Sequence, residues 1–456
     1  MFIKQIYTSC LAESSYYIES GKEAAIIDPL REAAPYLELA EKRGAKINYI
    51  FETHFHADFV SGHLDLSLQS GAPIIYGPTA TADFTFHEAF DGEEFKLGDI
   101  TLRLLHTPGH TPESSCLLLI DENGNDHSLF TGDTLFVGDV GRPDLAVKSN
   151  LSQKDLAAML YDSLEQKIKP LADDVIIYPA HGAGSSCGKN IGKETYSTLG
   201  EQKRMNYAMQ PMNKDTFIEA VTSGLSAPPK YFFENARINK SAYKTLDSIL
   251  ENSFKALSIE TVIELQKKDV LIIDTRSTRE FEQSHINGSI FIGLNGMFAI
   301  WAASLIDLNR EIVILAADQQ SALESIIRLA RVGIENVHGY IDGGIDAWVK
   351  SGGETSQLNS LNADELEKIK SGSLVLDVRR PSEFSGGHLD SAKNFPLDHI
   401  ENEISDLDSS LDYVIYCAGG YRSVIASSLL KRNGIHRITN IRGGYAAIEQ
   451  AMLNKE

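Results

Sequence analysis

The sequence predicts a chain of α/β domains: a layered domain rich in metal-ligand residues, then two smaller parallel-sheet domains. Three observations carry this. A chain of 456 residues exceeds what one hydrophobic core organises. Between residues 1 and 253, apolar strand patterns end repeatedly in His or Asp. Between 254 and 456, an alternation of strand, turn, strand, loop and helix occurs twice, which favours parallel sheets flanked by helices.

In the first domain, KINYIFE (46–52) leads into Thr53-His54-Phe55-His56-Ala57-Asp58-Phe59. ITLRLLH (100–106), with Ile100, Leu102 and Leu104 alternating, leads to TPGH and His110. HSLF (127–130) leads to Asp133, and DVIIYPAH (174–181) ends on His181. Four strand ends of this kind predict one cleft, and imidazole with carboxylate is metal-ligand chemistry. THFHADF departs by one residue from His-x-His-x-Asp-His, a pattern that holds two metal ions. Phe59 stands where the last histidine would, so a second metal is short of donors. SAPPK (226–230) then breaks the chain, and a helical extension is expected up to 253.

The tail is a repeat, placed as domains 254–354 and 355–456. Asp377, Arg379, Glu383, Phe384 and His388 fall on Asp274, Arg276, Glu280, Phe281 and His285 with a constant offset of 103. VIYCAGGYRSVIASSLLKRNGI overlies VILAADQQSALESIIRLARVGI with an offset of 101 and 7 of 22 positions identical. Each copy ends in a Gly-Gly pair, Gly343-Gly344 and Gly443-Gly444, and the polar SGGETSQLNS (351–360) separates the two. In the last copy a buried-strand pattern, YVIY, runs into Cys417-Ala418-Gly419-Gly420-Tyr421-Arg422-Ser423 and then a helix. The glycines let backbone N–H groups converge, and the helix start and Arg422 add positive potential; both favour a thiolate. The middle copy has Ala316 for Cys417, Ser321 for Arg422, and Asp318 and Gln319 for the loop glycines. Its chemistry is gone.

Composition narrows the field further. A net charge of −21 argues against nucleic acid. The longest apolar stretches are strand-length, so no membrane span is expected, and the N-terminus lacks the pattern of a secretory signal. Four scattered cysteines, without a Cys-x-x-Cys pair, suggest a reducing, cytoplasmic setting. Cys10 and Cys116, in strand-like context, read as packing residues. Cys187, in the Gly/Ser-rich GAGSSCGKN beside Lys189, offers two readings: an exposed, activated auxiliary thiol near the metal that relays sulfur, or, the favoured one, a dispensable cysteine.

The Cys417 loop and its flanking DVR, EF, GH and GG elements resemble the rhodanese sulfurtransferases across 355–456. Cys-x4-Arg is the small cradle associated there with sulfur; the related phosphatases carry a loop one residue longer. The resemblance makes Cys417 the nucleophile, Arg422 its charged partner, and Ala418, Gly419, Gly420, Tyr421 and Ser423 the sulfur-binding loop. The middle copy resembles an inactive rhodanese with a structural or interfacial role.

The strand-end ligands resemble the metallo-β-lactamase superfamily, an αββα sandwich, over roughly 1–250. HADFVSGH (56–63), TPGHTPESS (107–115), GDVGRPDL (138–145) and YPAHGAGSSCGKN (178–190) resemble the persulfide dioxygenase–rhodanese fusions. That resemblance implies one Fe(II) per chain on His54, His110 and Asp133. His56, Asp58 and His181 would orient ligands or bound water, with His56 as a direct ligand the alternative. It implies that Arg142 and Tyr178 grip a thiol carrier, that persulfides, O2 and sulfite are the small-molecule partners, and that the chain is a homo-oligomer. Oxidation of a persulfide to sulfite, with transfer through Cys417 to give thiosulfate, is the expected activity. The rivals are a zinc-dependent thioester hydrolase fused to a sulfur carrier, and a non-enzymatic persulfide sensor.

Overall fold

A computed structural model describes residues 1–147 and 150–454. The chain forms two compact units, Met1–Asp247 with Ala330–Gly333, and Ser248–Leu329 with Ile334–Glu456.

The first unit is built on two six-stranded sheets. One runs in the order β1 (Phe2–Thr8), β2 (Glu13–Ser20), β3 (Glu23–Ile27), β4 (Lys46–Phe51), β5 (Ile74–Tyr76), β6 (His87–Glu88). The other places β7 (Glu94–Leu97), β8 (Ile100–His106), β9 (Ser115–Ile120), β10 (Asp126–Gly132), β11 (Ile176–Pro179) and β12 (Ser197–Thr198) side by side. Alternate residues of each strand explain the layering. Tyr16, Ile18, Ile27, Phe51, Leu102, Leu117, Leu119 and Phe130 fill the space between the sheets. Their neighbours Tyr17, Ile26 and Ile50 face outward onto Tyr36 and Ala40 of helix α1 (Ala34–Arg43) and Leu66 of α2 (His63–Ser70). On the opposite outer face, Leu118, Leu129 and Ile177 meet Ala157 and Leu160 of α3 (Gln153–Ser163). The result is an αββα sandwich. Each fully buried aliphatic or aromatic side chain stabilises it by roughly 1.5–3 kcal/mol.

The second unit holds the repeat. Its first sheet orders the strands Ala256–Leu257, Val337–Ile341, Ile312–Leu315, Leu271–Asp274 and Ile290–Phe291. Its second orders Asn359–Leu361, Ile438–Ile441, Tyr413–Tyr416, Leu374–Asp377 and Ala392–Asn394. Both are wholly parallel, with the same strand order. The stretch between the copies is not a free linker. Thr355–Ser356 pairs antiparallel with His285–Ile286 of the middle copy, and the Leu358 N–H donates to the Glu282 carbonyl at 3.0 Å. No helix among the described residues is long and apolar enough to cross a membrane.

Candidate functional site

The C-terminal ends of β4, β8, β10 and β11 deliver His54, His110, Asp133 and His181 to one buried locus. Ligand atoms of His54, His110 and Asp133 lie within 4.8 Å of one another. His110 Nε2 is 3.4 Å, and His54 Nε2 3.8 Å, from Asp133 Oδ2. The other nitrogens fix the tautomers. His110 Nδ1–H donates to the Arg142 carbonyl at 2.9 Å. The Thr53 hydroxyl donates to Asp28 Oδ2 at 2.9 Å, so its oxygen accepts from His54 Nδ1 at 3.0 Å. Both Nε2 lone pairs therefore face Asp133. Gly141 makes this approach possible, since a Cβ there would lie 2.0 Å from the Asp133 carbonyl oxygen and 2.9 Å from His110 Nδ1.

Neither carboxylate oxygen of Asp133 has a hydrogen-bond donor among the described residues, although the side chain is buried. A carboxylate in that position is costly unless a cation meets it. Burial, followed by the neighbouring histidines His56, His110 and His181, holds His54 well below the ordinary histidine range. Its lone pair is thus free at neutral pH. Two imidazole nitrogens and one carboxylate oxygen on one side of a pocket fit a divalent metal.

His56 has a different setting. Its Nε2 lies 3.1 Å from Asp28 Oδ1 and 3.3 Å from Glu52 Oε2. Burial alone would lower it, but the two carboxylates lift it well above the usual range. His181 donates from Nδ1 to the Ala12 carbonyl and turns Nε2 to Asp58 Oδ2 and Asp133 Oδ1, each at 3.4 Å. Asp133 thus presents one oxygen to each group. Phe59, fully buried against the His56 ring at 4.4 Å, adds no donor to the Asp58–His181 side.

Three expectations need correction. Cys187 is buried, not exposed, and its sulfur lies within 4.8 Å of ligand atoms of Asp133 and His181. Burial, then Asp58 and Asp133, push its thiol well above the ordinary range, the opposite of activation. The Gly/Ser-rich segment around it is pinned: Lys189 and Asn190 donate their N–H groups to Asp139 Oδ2, and Arg142 N–H donates to the Cys187 carbonyl. Arg142 is not a free cation. It is buried, with Nε and Nη2 on Asp144 at 2.6 and 2.8 Å, and further bonds to the Ser186 and Ser226 carbonyls. It positions His110 through its own carbonyl. Tyr178 is not among these: it is half-buried, stacked on Phe130 at 5.3 Å at the edge of the inter-sheet core. Cys10 also differs, sitting in the turn after β1.

The second unit holds the thiol centre. Cys417 ends the strand Tyr413–Tyr416, and Gly420 N–H donates to its sulfur at 3.1 Å. Ser423 Oγ lies 3.6 Å from the same sulfur. The loop is backed by the Gly443-Gly444 turn. Gly444 has φ +57°, and a Cβ there would lie 2.2 Å from the Cys417 carbonyl oxygen. Tyr445 and Ala446 donate N–H groups to the Cys417 and Ala418 carbonyls. Tyr421 leaves the cradle, its hydroxyl donating to the Gly293 carbonyl of the middle copy at 2.7 Å. Arg422 is held bidentately by Glu383, at 2.7 Å for both bonds. Its charge is therefore shared between that carboxylate and the nearby cysteine.

Sequence reasoning missed Asp28, Glu52 and Thr53, which orient the histidines, and Glu383 as the holder of Arg422. A charged residue at the end of an apolar strand pattern, as in AAIID and YIFE, was the available signal.

The metallo-beta-lactamase superfamily model matches residues 8–181, and the rhodanese-like domain model matches 258–351 and 362–451. The mitochondrial persulfide dioxygenase ETHE1 of Homo sapiens is 31% identical over 211 residues, 45% of this chain and 75% of that protein. The hydroxyacylglutathione hydrolase of Rhizobium etli is 40% identical over 169 residues, 36% of this chain and 58% of its own length. Among solved structures, a metallo-beta-lactamase from Staphylococcus aureus matches with TM-score 0.66 and 33% identity, over 75% of this chain and 98% of that one.

Proposed function

We propose that this chain, which belongs to the metallo-β-lactamase superfamily and continues into two rhodanese-like domains, is a persulfide dioxygenase coupled to a sulfurtransferase. One observation carries the reading. His54, His110 and Asp133 converge with both Nε2 lone pairs inward, whereas His56, which also converges with Asp58 and His181, has its Nε2 against Asp28 and Glu52 at 3.1 and 3.3 Å, and Phe59 brings no further nitrogen. Two histidines and one carboxylate suit a single ferrous ion with open positions, and that ion would supply the redox chemistry with O2.

The chain's own groups do the rest. His110 and His54 keep their Nε2 lone pairs inward through the Arg142 carbonyl and Thr53. His181 and Asp58 line the neighbouring wall, where they would orient water or the persulfide sulfur. The balanced reaction is R–S–SH + O2 + H2O → R–SH + SO3²⁻ + 2 H⁺. At the second centre the Cys417 thiolate attacks the outer sulfur of another persulfide and releases R–S⁻. Sulfite then takes that sulfur as thiosulfate and regenerates the cysteine. The product of one centre is the acceptor at the other, and this supports their union in one chain. A zinc-dependent thioester hydrolase is the second reading, favoured by the hydroxyacylglutathione hydrolase relative and by the intact Asp58–His181–Asp133 edges of 3.4 Å.

The test is anaerobic purification, metal counting and O2 uptake on adding glutathione persulfide. We expect about one iron per chain, with O2 consumed and sulfite or thiosulfate formed. Zinc in its place, with no O2 uptake after iron reconstitution and with thioester cleavage, would move the assignment to the hydrolase.

A further inference from the structure

On the side away from His54 and His110, Asp133 has a second set of neighbours. Its Oδ1 lies 3.4 Å from His181 Nε2, and Cys187 Sγ lies within 4.8 Å of ligand atoms of both residues. Asp58 Oδ2 stands 3.4 Å from the same His181 nitrogen. All four side chains are buried. Asp133 Oδ1, Asp58 Oδ1 and His181 Nε2 nevertheless have no hydrogen-bond partner among the described residues. Unmet acceptor atoms gathered in a closed interior are costly unless a cation joins them.

The backbone fixes the sulfur in this place. Cys187 N–H donates to Ser185 Oγ at 3.1 Å, and the Cys187 carbonyl accepts from Arg142 N–H at 2.9 Å. At the next residue, Gly188, a Cβ would lie 2.9 Å from Asp139 Oδ2 and 2.8 Å from the Ile191 side chain, so the turn closes tightly. The Arg142 carbonyl also takes the His110 Nδ1 proton at 2.9 Å. One residue thus positions a ligand of the first set and the sulfur of the second. Across the cluster, His181 Nδ1 donates to the Ala12 carbonyl at 3.2 Å, which leaves Nε2 as an acceptor. Oxygen, nitrogen and sulfur are all in place before an ion arrives.

We propose that Asp133, His181 and Cys187 form a second cation position, for a thiophilic divalent ion of the zinc type, with Asp58 at its edge. Carboxylate oxygen, imidazole nitrogen and thiolate sulfur are all zinc ligands, and three protein donors leave a place for water. A soft thiolate also selects zinc over harder ions. Cys187 stands in for the nitrogen that Phe59 does not supply. Its thiol gives up its proton to solvent as the sulfur–metal bond forms. Asp133 is shared, with Oδ2 towards His54 and His110 and Oδ1 towards His181. The inference rests on side-chain geometry and not on the dioxygenase reading: iron in the first position and another ion in the second are compatible.

The test adds cobalt(II), whose bond to a thiolate gives a near-ultraviolet charge-transfer band, anaerobically to the metal-free full chain. About two cobalt ions per chain are expected, one of them bringing the sulfur band. Zinc should displace that ion and erase the band. Cys187→Ser should abolish the band and weaken the second ion at least about tenfold, while the first cobalt ion still binds and reports an intact fold. Cys417→Ser should keep the band, because the other thiol centre is not its source. A single ion per chain in the wild type, a second ion without the sulfur band, or a band that survives in Cys187→Ser or vanishes in Cys417→Ser would each overturn the proposal. O2 uptake by the iron-loaded chain with glutathione persulfide tests the dioxygenase reading separately.

Discussion

The two copies in the second unit share a scaffold and differ in chemistry. Both pair the Asp that ends a central strand with the Arg two residues on, at 2.6 Å in Arg276–Asp274 and in Arg379–Asp377. Both stack a Phe on a His four residues later, Phe281 on His285 at 4.0 Å and Phe384 on His388 at 3.7 Å. These matched residues hold the strand ends in place whether or not a nucleophile stands nearby. Glu280 and Glu383 occupy matched positions but diverge in use. Glu280 closes a cap on Ser277, whereas Glu383 also clamps Arg422. Most residues the copies have in common therefore hold the architecture; Glu383 is the shared residue that one copy also turns to its thiol centre, and the remaining chemistry lies in residues they do not share.

Mutations can break that distinction, beginning with the largest effect. Cys417→Ser should reduce sulfur transfer by at least about a thousandfold while O2 uptake with persulfide persists, because a hydroxyl does not replace a thiolate nucleophile. Measuring both activities on one preparation checks it; joint loss would deny the division of labour. Glu383→Gln should cost about tenfold in transfer, as Arg422 loses its charged clamp beside the sulfur. The Arg422 hydrogen bonds hold the Glu383 carboxyl below its ordinary value of 4.5. Its stabilising contribution is therefore complete above that value and fades as pH falls below it. Thermal midpoints followed down from neutral pH should fall more steeply in the wild type than in Glu383→Gln.

A smaller effect separates the matched histidines. Burial lowers His285 from 6.5 to about 4, while His388 is exposed. A proton prefers the unfolded state at His285, so stability tied to the neutral ring is present above 6.5 and is lost towards 4. His285→Gln should flatten the acid side of the thermal-midpoint profile. The smallest effect is expected from Ala316→Cys. Without an arginine or the loop glycines, the new thiol should show no measurable transfer in a Cys417→Ser background. Turnover there would mean that a cysteine at the strand end suffices.

Residues that declare themselves by type and by strand-end position were legible in the sequence. His54, His110, Asp133, His181 and Cys417 belong to that class, and so did the repeat, through its constant offsets. Partners distant along the chain were not legible. Asp28 reaches Thr53 and His56 only because β3 and β4 pair in parallel. The burial of Cys187 was also hidden, because GAGSSCGKN has the composition of an exposed loop. A single carboxylate, Asp139, collects its N–H groups and folds it inward. Arg142 misled for another reason: the resemblance made it a grip for a thiol carrier, whereas the Asp144 two residues on neutralises it.

The two-residue ladder between Thr355–Ser356 and His285–Ile286 bears on how this protein can be taken apart. A gene cut between codons 354 and 355 would follow the duplication yet sever one copy from the strand that completes its edge. The shortened product would carry an open edge at His285–Ile286, free to recruit a strand from another molecule. Here the unit that was copied and the unit that folds have different ends.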